Sequence, residues 1–154
     1  MEIKIILLIT VLLYSAIVSQ SFSYLISLRN VQQNMDAAAY IGFRKLTDKN
    51  FTAKFRWVIY ASLFFNLLLA VVCGIHFAGL LFTTAVIAFV ALLADTLIAV
   101  KGNMPINQVI NTWSPQNYPD NWADFRKQWL YLFSIRQVIN LGGFVTLLVG
   151  AIFS

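Results

Sequence analysis

Charge is missing from three long stretches of this chain: no Asp, Glu, Lys or Arg occurs from residue 5 to 28, from 57 to 94 or from 137 to 154. About 20 consecutive apolar residues cross the hydrocarbon layer of a bilayer as a helix. The middle stretch is too long for one crossing, and Cys73-Gly74 near its centre reads as the break of a tight antiparallel hairpin. Composition agrees, at 60% hydrophobic, 11% charged and a mean hydropathy of +0.76. The expectation is an all-α membrane protein, a four-transmembrane-helix bundle forming a single domain over residues 1–154. Its spans are expected at about 3–28, 55–73, 75–100 and 129–153, with an amphipathic cytoplasmic connector and a long third connector.

A secretory leader competes for the first stretch, because Ser19 and Ser21 have cleavage-like spacing. Glu2 beside Lys4 leaves only weak net charge ahead of it, which favours a retained span. Within it, Ser15, Ser19 and Ser23 recur every fourth residue and stack on one helix face. That stripe is either a small-residue packing surface or, with Gln20 and Tyr24, one wall of a polar pocket. Between Arg29 and Arg56 the chain is basic, and Met35, Ala38, Ala39, Phe43 and Leu46 approximate the apolar face of a surface-lying helix. Thr47 or Asp48 would end it or cap the next.

Every Lys and Arg except Lys4 falls in the connectors that share one side of such a bundle, or close to that side. By the positive-inside rule that side is cytoplasmic. Both termini are then non-cytoplasmic, and for a bacterial inner membrane they are periplasmic. The net charge of +5 therefore signals membrane topology and implies no nucleic acid partner. The expected partners are the lipid bilayer and a homo-oligomer or larger membrane complex.

Several chemistries lack their residues. One His, one Cys and a lone Glu give no three-ligand metal set of the usual kind. There is no glycine-rich phosphate loop and no nucleophile triad, and one cysteine allows no internal disulfide. No cofactor is expected. His76 belongs near the membrane face opposite the basic connectors.

What remains is a series between the third and fourth spans. Asp95 and Arg136 lie at similar depths in different helices, which predicts an ion pair. It serves either as a tether or as the holder of an anionic or carbonyl ligand group. Pro105 is expected to break the third helix, Asn103 to bond carbonyls released there, and Asn107 to cap a short helix carrying Ile110 and Trp113. Trp122, Arg126 and Trp129 share a helix face, where guanidinium can stack on indole.

The ordered set Asn103-Met104-Pro105-Ile106-Asn107, Trp113, Pro119, Trp122, Arg126, Trp129 and Arg136 resembles the signature of the anthrone oxygenase-like integral membrane family. The resemblance covers most of the chain in outline, and its specific residues lie between 103 and 136. It implies a small four-helix membrane bundle and, for the fungal members, oxygenation of polyketide anthrones to anthraquinones without metal or flavin. Phe133 stands where the family pattern has a histidine between the tryptophan and the arginine. The candidate ligand-binding residues are Asp95, Asn103, Asn107, Trp113, Trp122, Arg126, Trp129 and Arg136. Three function classes follow: a binder or metal-free oxidiser of a small aromatic or quinone-like molecule, a non-catalytic accessory or scaffold subunit, and a small transporter or channel. The third is the weakest, because one Asp and one Arg do not make a transmembrane pathway.

Overall fold

The charge-free stretches form long helical rods. The computed structural model describes residues 2–76 and 79–154, apart from the side chains of Glu2 and His76. Helix α1 (Glu2–Ser23) runs through a π-helical turn (Tyr24–Leu28) into α2 (Arg29–Asn34). Met35 and Asp36 are extended, with ψ of 142° and 169°, and the Asp36 carboxylate accepts from Ala39 N at 2.8 Å. An N-cap carboxylate satisfies a helix N–H that has no partner within the helix. Helix α3 (Ala37–Asn50) continues through a second π turn (Phe51–Phe55) into α4 (Arg56–His76). Helix α5 (Leu80–Ile98) continues through a third (Ala99–Asn103) into α6 (Met104–Asn111), and α7 (Trp122–Phe153) is unbroken. All four rods are long and apolar enough to cross a membrane.

α1 and α5 each pack against both α4 and α7, so the rods form an antiparallel ring and the two termini share one end. Gly143 sits so close to Tyr14 and Ala91, and Gly150 to Thr84, that a Cβ at either would collide with them. Gly142, the residue before Gly143, faces open space. Small residues of this kind let membrane helices approach, and packing rather than water exclusion holds them. The core divides into two layers. Tyr14, Val18, Leu69, Ala88, Leu92 and Leu147 fill the charge-free half. Tyr24, Tyr40, Ile41, Ile106, Ile110, Trp113, Trp129 and Leu130 fill the basic half. Leu8, Leu12, Phe64, Val90, Val145 and Ile152 point outward, as lipid-facing residues do.

Several sequence expectations are corrected. The basic connector is no surface-lying helix, because α3 is the direct extension of α4. Its buried face is Ala37, Tyr40, Ile41 and Arg44, whereas Ala38, Ala39 and Leu46 are exposed. Contact with α6 selects that face, and a single-helix apolar pattern does not contain this information. Pro105 does not break the third helix. In a regular helix its ring would clash with the carbonyl four residues back, but the preceding turn is π-helical and Met104 N bonds Ala99 O, five residues back. The third connector shortens to 112–121, held by Lys45 Nζ donating to Trp113 O at 2.7 Å. The fourth helix accordingly starts at Trp122, well before Trp129. Helix α4 passes through Cys73-Gly74 to His76, and Gly74 there admits the Phe82 ring of α5. The serine stripe is also not a wall: Ser15 and Ser19 bond their own helix carbonyls, and Ser19 and Ser23 are exposed. The expected depth of the His76 side chain lies outside the described residues.

Candidate functional site

Two rods separate where their π turns face each other. α4 packs on α5 toward the terminal end and α3 packs on α6 toward the basic end. Between these contacts lies a cavity of about 320 Å³. Residues of both π turns line it, Phe51, Thr52 and Phe55 on one side and Ala99, Val100 and Asn103 on the other. α1 contributes Ile17 and Gln20, and α7 contributes Trp129, Phe133, Arg136, Gln137 and Asn140. A π turn shifts a helix off its α-helical path and recurs at functional sites. Here two such turns flank the cavity within a bundle otherwise tight enough to need Gly143 and Gly150.

Arg136 is fully engaged. Its Nε donates to Asp95 Oδ1 at 2.7 Å, Nη2 to Asp95 Oδ2 at 3.5 Å and Nη1 to Asn103 Oδ1 at 3.3 Å. The expected ion pair is present, with 14% of the arginine side chain and 3% of the aspartate exposed. Asn103 also donates through Nδ2 to Trp129 O at 3.0 Å. It thus ties the π turn to α7 rather than closing the end of a helix.

A second arginine, which the sequence reading did not single out, lines the same space. Arg44 is 4% exposed and donates through Nη2 to Asn107 Oδ1 at 2.9 Å, and its guanidinium lies 3.7 Å from the Trp129 ring centroid. Asn107 is no cap: it sits inside α6 and passes its Nδ2 hydrogen to Asp48 Oδ1 at 2.8 Å. Asn111 donates to the other Asp48 oxygen, also at 2.8 Å. The indole of Trp129 stacks on Phe133 at 4.6 Å between centroids and 22° between planes. Trp129 thus stacks with both the Arg44 guanidinium and the Phe133 ring.

Of the sequence candidates, Asp95, Asn103, Asn107, Trp129 and Arg136 all line the cavity. Trp113, Trp122 and Arg126 lie elsewhere. Trp113 meets Phe125 edge-on at 5.2 Å in the basic-half core. Arg126 stacks on Trp122 at 4.5 Å and donates to Met35 O at 2.7 Å, fastening α7 to the break between α2 and α3. Trp129 faces Arg44 and Phe133, so the expected stacking of Arg126 is found with Trp122 alone of the two indoles. Gln137 and Asn140 join the lining unforeseen, and Gln20 joins it as the pocket-wall alternative for the first span allowed. Polar residues at spacing 137 and 140 within an apolar span were the available signal, since such groups face a bundle interior.

Three lining residues carry buried polar atoms without a hydrogen-bond partner: Arg44 Nε, Trp129 Nε1 and Asn140 Oδ1. Buried polar groups are ordinarily paired, and an unpaired one points to a water, an ion or a ligand. Among the described residues no three His, Cys, Asp or Glu side chains gather in a metal-binding group. Comparison of the chain with protein-family models, with curated proteins and with solved structures finds no match.

Proposed function

We propose that this integral membrane protein binds a small aromatic or quinone-like molecule, without a metal, in the cavity between the two π turns. The observation that carries the reading is the union of an aromatic lining, Phe51, Phe55, Tyr60, Trp129 and Phe133, with buried unpartnered N–H donors on Arg44 and Trp129. A planar ring bearing a carbonyl or phenolic oxygen satisfies both features at once. The volume lies at the small end of ligand pockets, about 300–1,000 Å³. The anthrone oxygenase-like resemblance supports the same ligand class, since Asn103, Asn107, Trp129 and Arg136 of that signature all line the cavity.

Oxygenation asks for more. A base must draw the proton from an acidic carbon before dioxygen can react with the carbanion. In this cavity Asp95 is committed to Arg136, Asp48 accepts from two amides, and Phe133 occupies the histidine position of the resembled signature. Binding is therefore the proposed function, and oxygenation is an activity to be tested with an anthrone and dioxygen. The reading includes a bacterial inner membrane with both termini non-cytoplasmic, supported by the distribution of Lys and Arg.

Native mass spectrometry of the protein gently extracted from its own membrane tests this. The expected result is a protomer carrying an aromatic or quinone-like mass, lost in Val100→Trp, which fills the rim from an exposed position and spares the core. A bare protomer from every gentle extraction overturns it. A stoichiometric protein partner without a small molecule supports an accessory subunit instead.

A further inference from the structure

We propose that the ligand of this cavity is an organic anion whose acid group is held by Arg44. The inference rests on the binding reading above and adds the charge of what is bound. Among the described residues no carboxylate lies within ion-pair distance of Arg44, and the Asp95–Arg136 contact is the one salt bridge. Arg44 makes its hydrogen bond to a neutral amide, that of Asn107, and its Nε has none. Asp48, one turn along α3, attracts Arg44 through space but makes no contact with it, because Asn107 lies between them, accepting from Arg44 and donating to Asp48.

Arg136 is the internal control. It lines the same cavity and is neutralised by Asp95 through two nitrogens. One lining guanidinium thus has a carboxylate in direct contact, and the other is 4% exposed and has none in contact. A buried charge without a partner costs several kcal/mol, which an incoming acid group removes. The guanidinium fork matches a planar carboxylate. Trp129 covers one face of that fork and Asn107 takes Nη2, while Arg44 Nε and Trp129 Nε1 remain as unpartnered donors for the acid.

The rim shows the route. Phe51, Tyr60, Val100 and Met104 line the cavity and are exposed on the outer surface of the bundle. An amphipathic acid enters there from the bilayer, with its acid group toward the basic end and its ring against Trp129 and Phe133.

The test compares 2-naphthoate, methyl 2-naphthoate and 1,4-naphthoquinone as ligands of the full chain in detergent micelles. Tryptophan fluorescence reads binding, and concentrations are referred to the micelle phase. The acid is expected to bind about tenfold or more tightly than its ester, the scale of one charge-assisted hydrogen bond. Arg44→Gln should bring that ratio near one, Arg44→Lys should keep part of it, and Lys54→Gln, exposed and outside the cavity lining, should leave it unchanged. Equal binding of acid and ester by the unaltered protein overturns the proposal, and so does a preference that survives Arg44→Gln. If the quinone binds while the acid has no advantage, the anion proposal fails and the ring-binding reading stands. If none of the three binds, both fail. Should Arg44→Gln not fold, the unaltered protein together with Arg44→Lys and Lys54→Gln decides, and a preference lost in Lys54→Gln overturns the assignment to Arg44.

Discussion

Arg136 and Asp95 bond each other with only 14% and 3% of their side chains exposed, so removing one leaves the other charged, nearly buried and without its counter-ion. Breaking such a pair costs about 3–5 kcal/mol, whereas replacing both partners with apolar residues of similar volume is often neutral. Asp95→Asn is therefore expected to destabilise the bundle on that scale in reversible denaturation from detergent. The double change Asp95→Leu with Arg136→Met should recover most of the loss. If the double variant is as unstable as the single one, the pair is not an isolated tether and its hydrogen bond to Asn103 carries more of the fold. The glycine pair gives a second comparison. A Cβ at Gly143 meets Tyr14 and Ala91, and overpacking of this sort costs about 1–3 kcal/mol. A Cβ at Gly142 meets nothing within 4 Å, and alanine is about 1 kcal/mol better than glycine inside a helix. Gly143→Ala should lower the midpoint of denaturation, and Gly142→Ala should hold or raise it.

At the scale of elements, the π turns Phe51–Phe55 and Ala99–Asn103 each put a widened turn into a rod, and the cavity sits between them. A π turn holds one residue more than the α-helical turn it replaces. Deleting exposed Lys101 should let α5 and α6 join as a regular helix with both flanking faces in phase. The bundle should keep its helical circular dichroism and its melting temperature within a few degrees, while binding in the cavity falls at least about tenfold, more than 1.4 kcal/mol. Retained binding would mean that the offset between the rods has another origin. These turns also explain what the sequence disclosed. The Asp95–Arg136 pair was legible because depth follows from counting residues along straight spans. Arg44 was not, because beside Lys45 and with Asp48 one turn on it looks like a solvated face. It is buried only by α6, which reaches α3 because the Ala99–Asn103 turn carries the helix past Pro105. Single-chain periodicity reports which residues share a face but not which face a second element will cover.

The whole molecule is longer than the layer it crosses. α7 has 32 residues, about 48 Å at 1.5 Å per residue, against a hydrocarbon thickness of about 30 Å. Counting back about 20 residues from Phe153 ends near Phe133, so the rest of α7, with α2, α3 and α6, forms the cap at headgroup depth and beyond. The cavity then lies where the apolar layer gives way to the cap, the depth at which an amphipathic ligand is already oriented. Which face of the membrane bears the cap depends on the Lys and Arg of the cap end, with Lys4 alone at the other. Cysteine labelling settles it, since the natural Cys73 is buried and gives little background. Ser154→Cys should react with a membrane-impermeant maleimide in intact bacterial spheroplasts. Lys49→Cys, exposed on α3, should react only after permeabilisation. The reverse pattern would put the Arg44 end of the cavity toward the non-cytoplasmic face, so its ligand would come from that leaflet. Labelling of both sites from one side would contradict the four-span bundle itself.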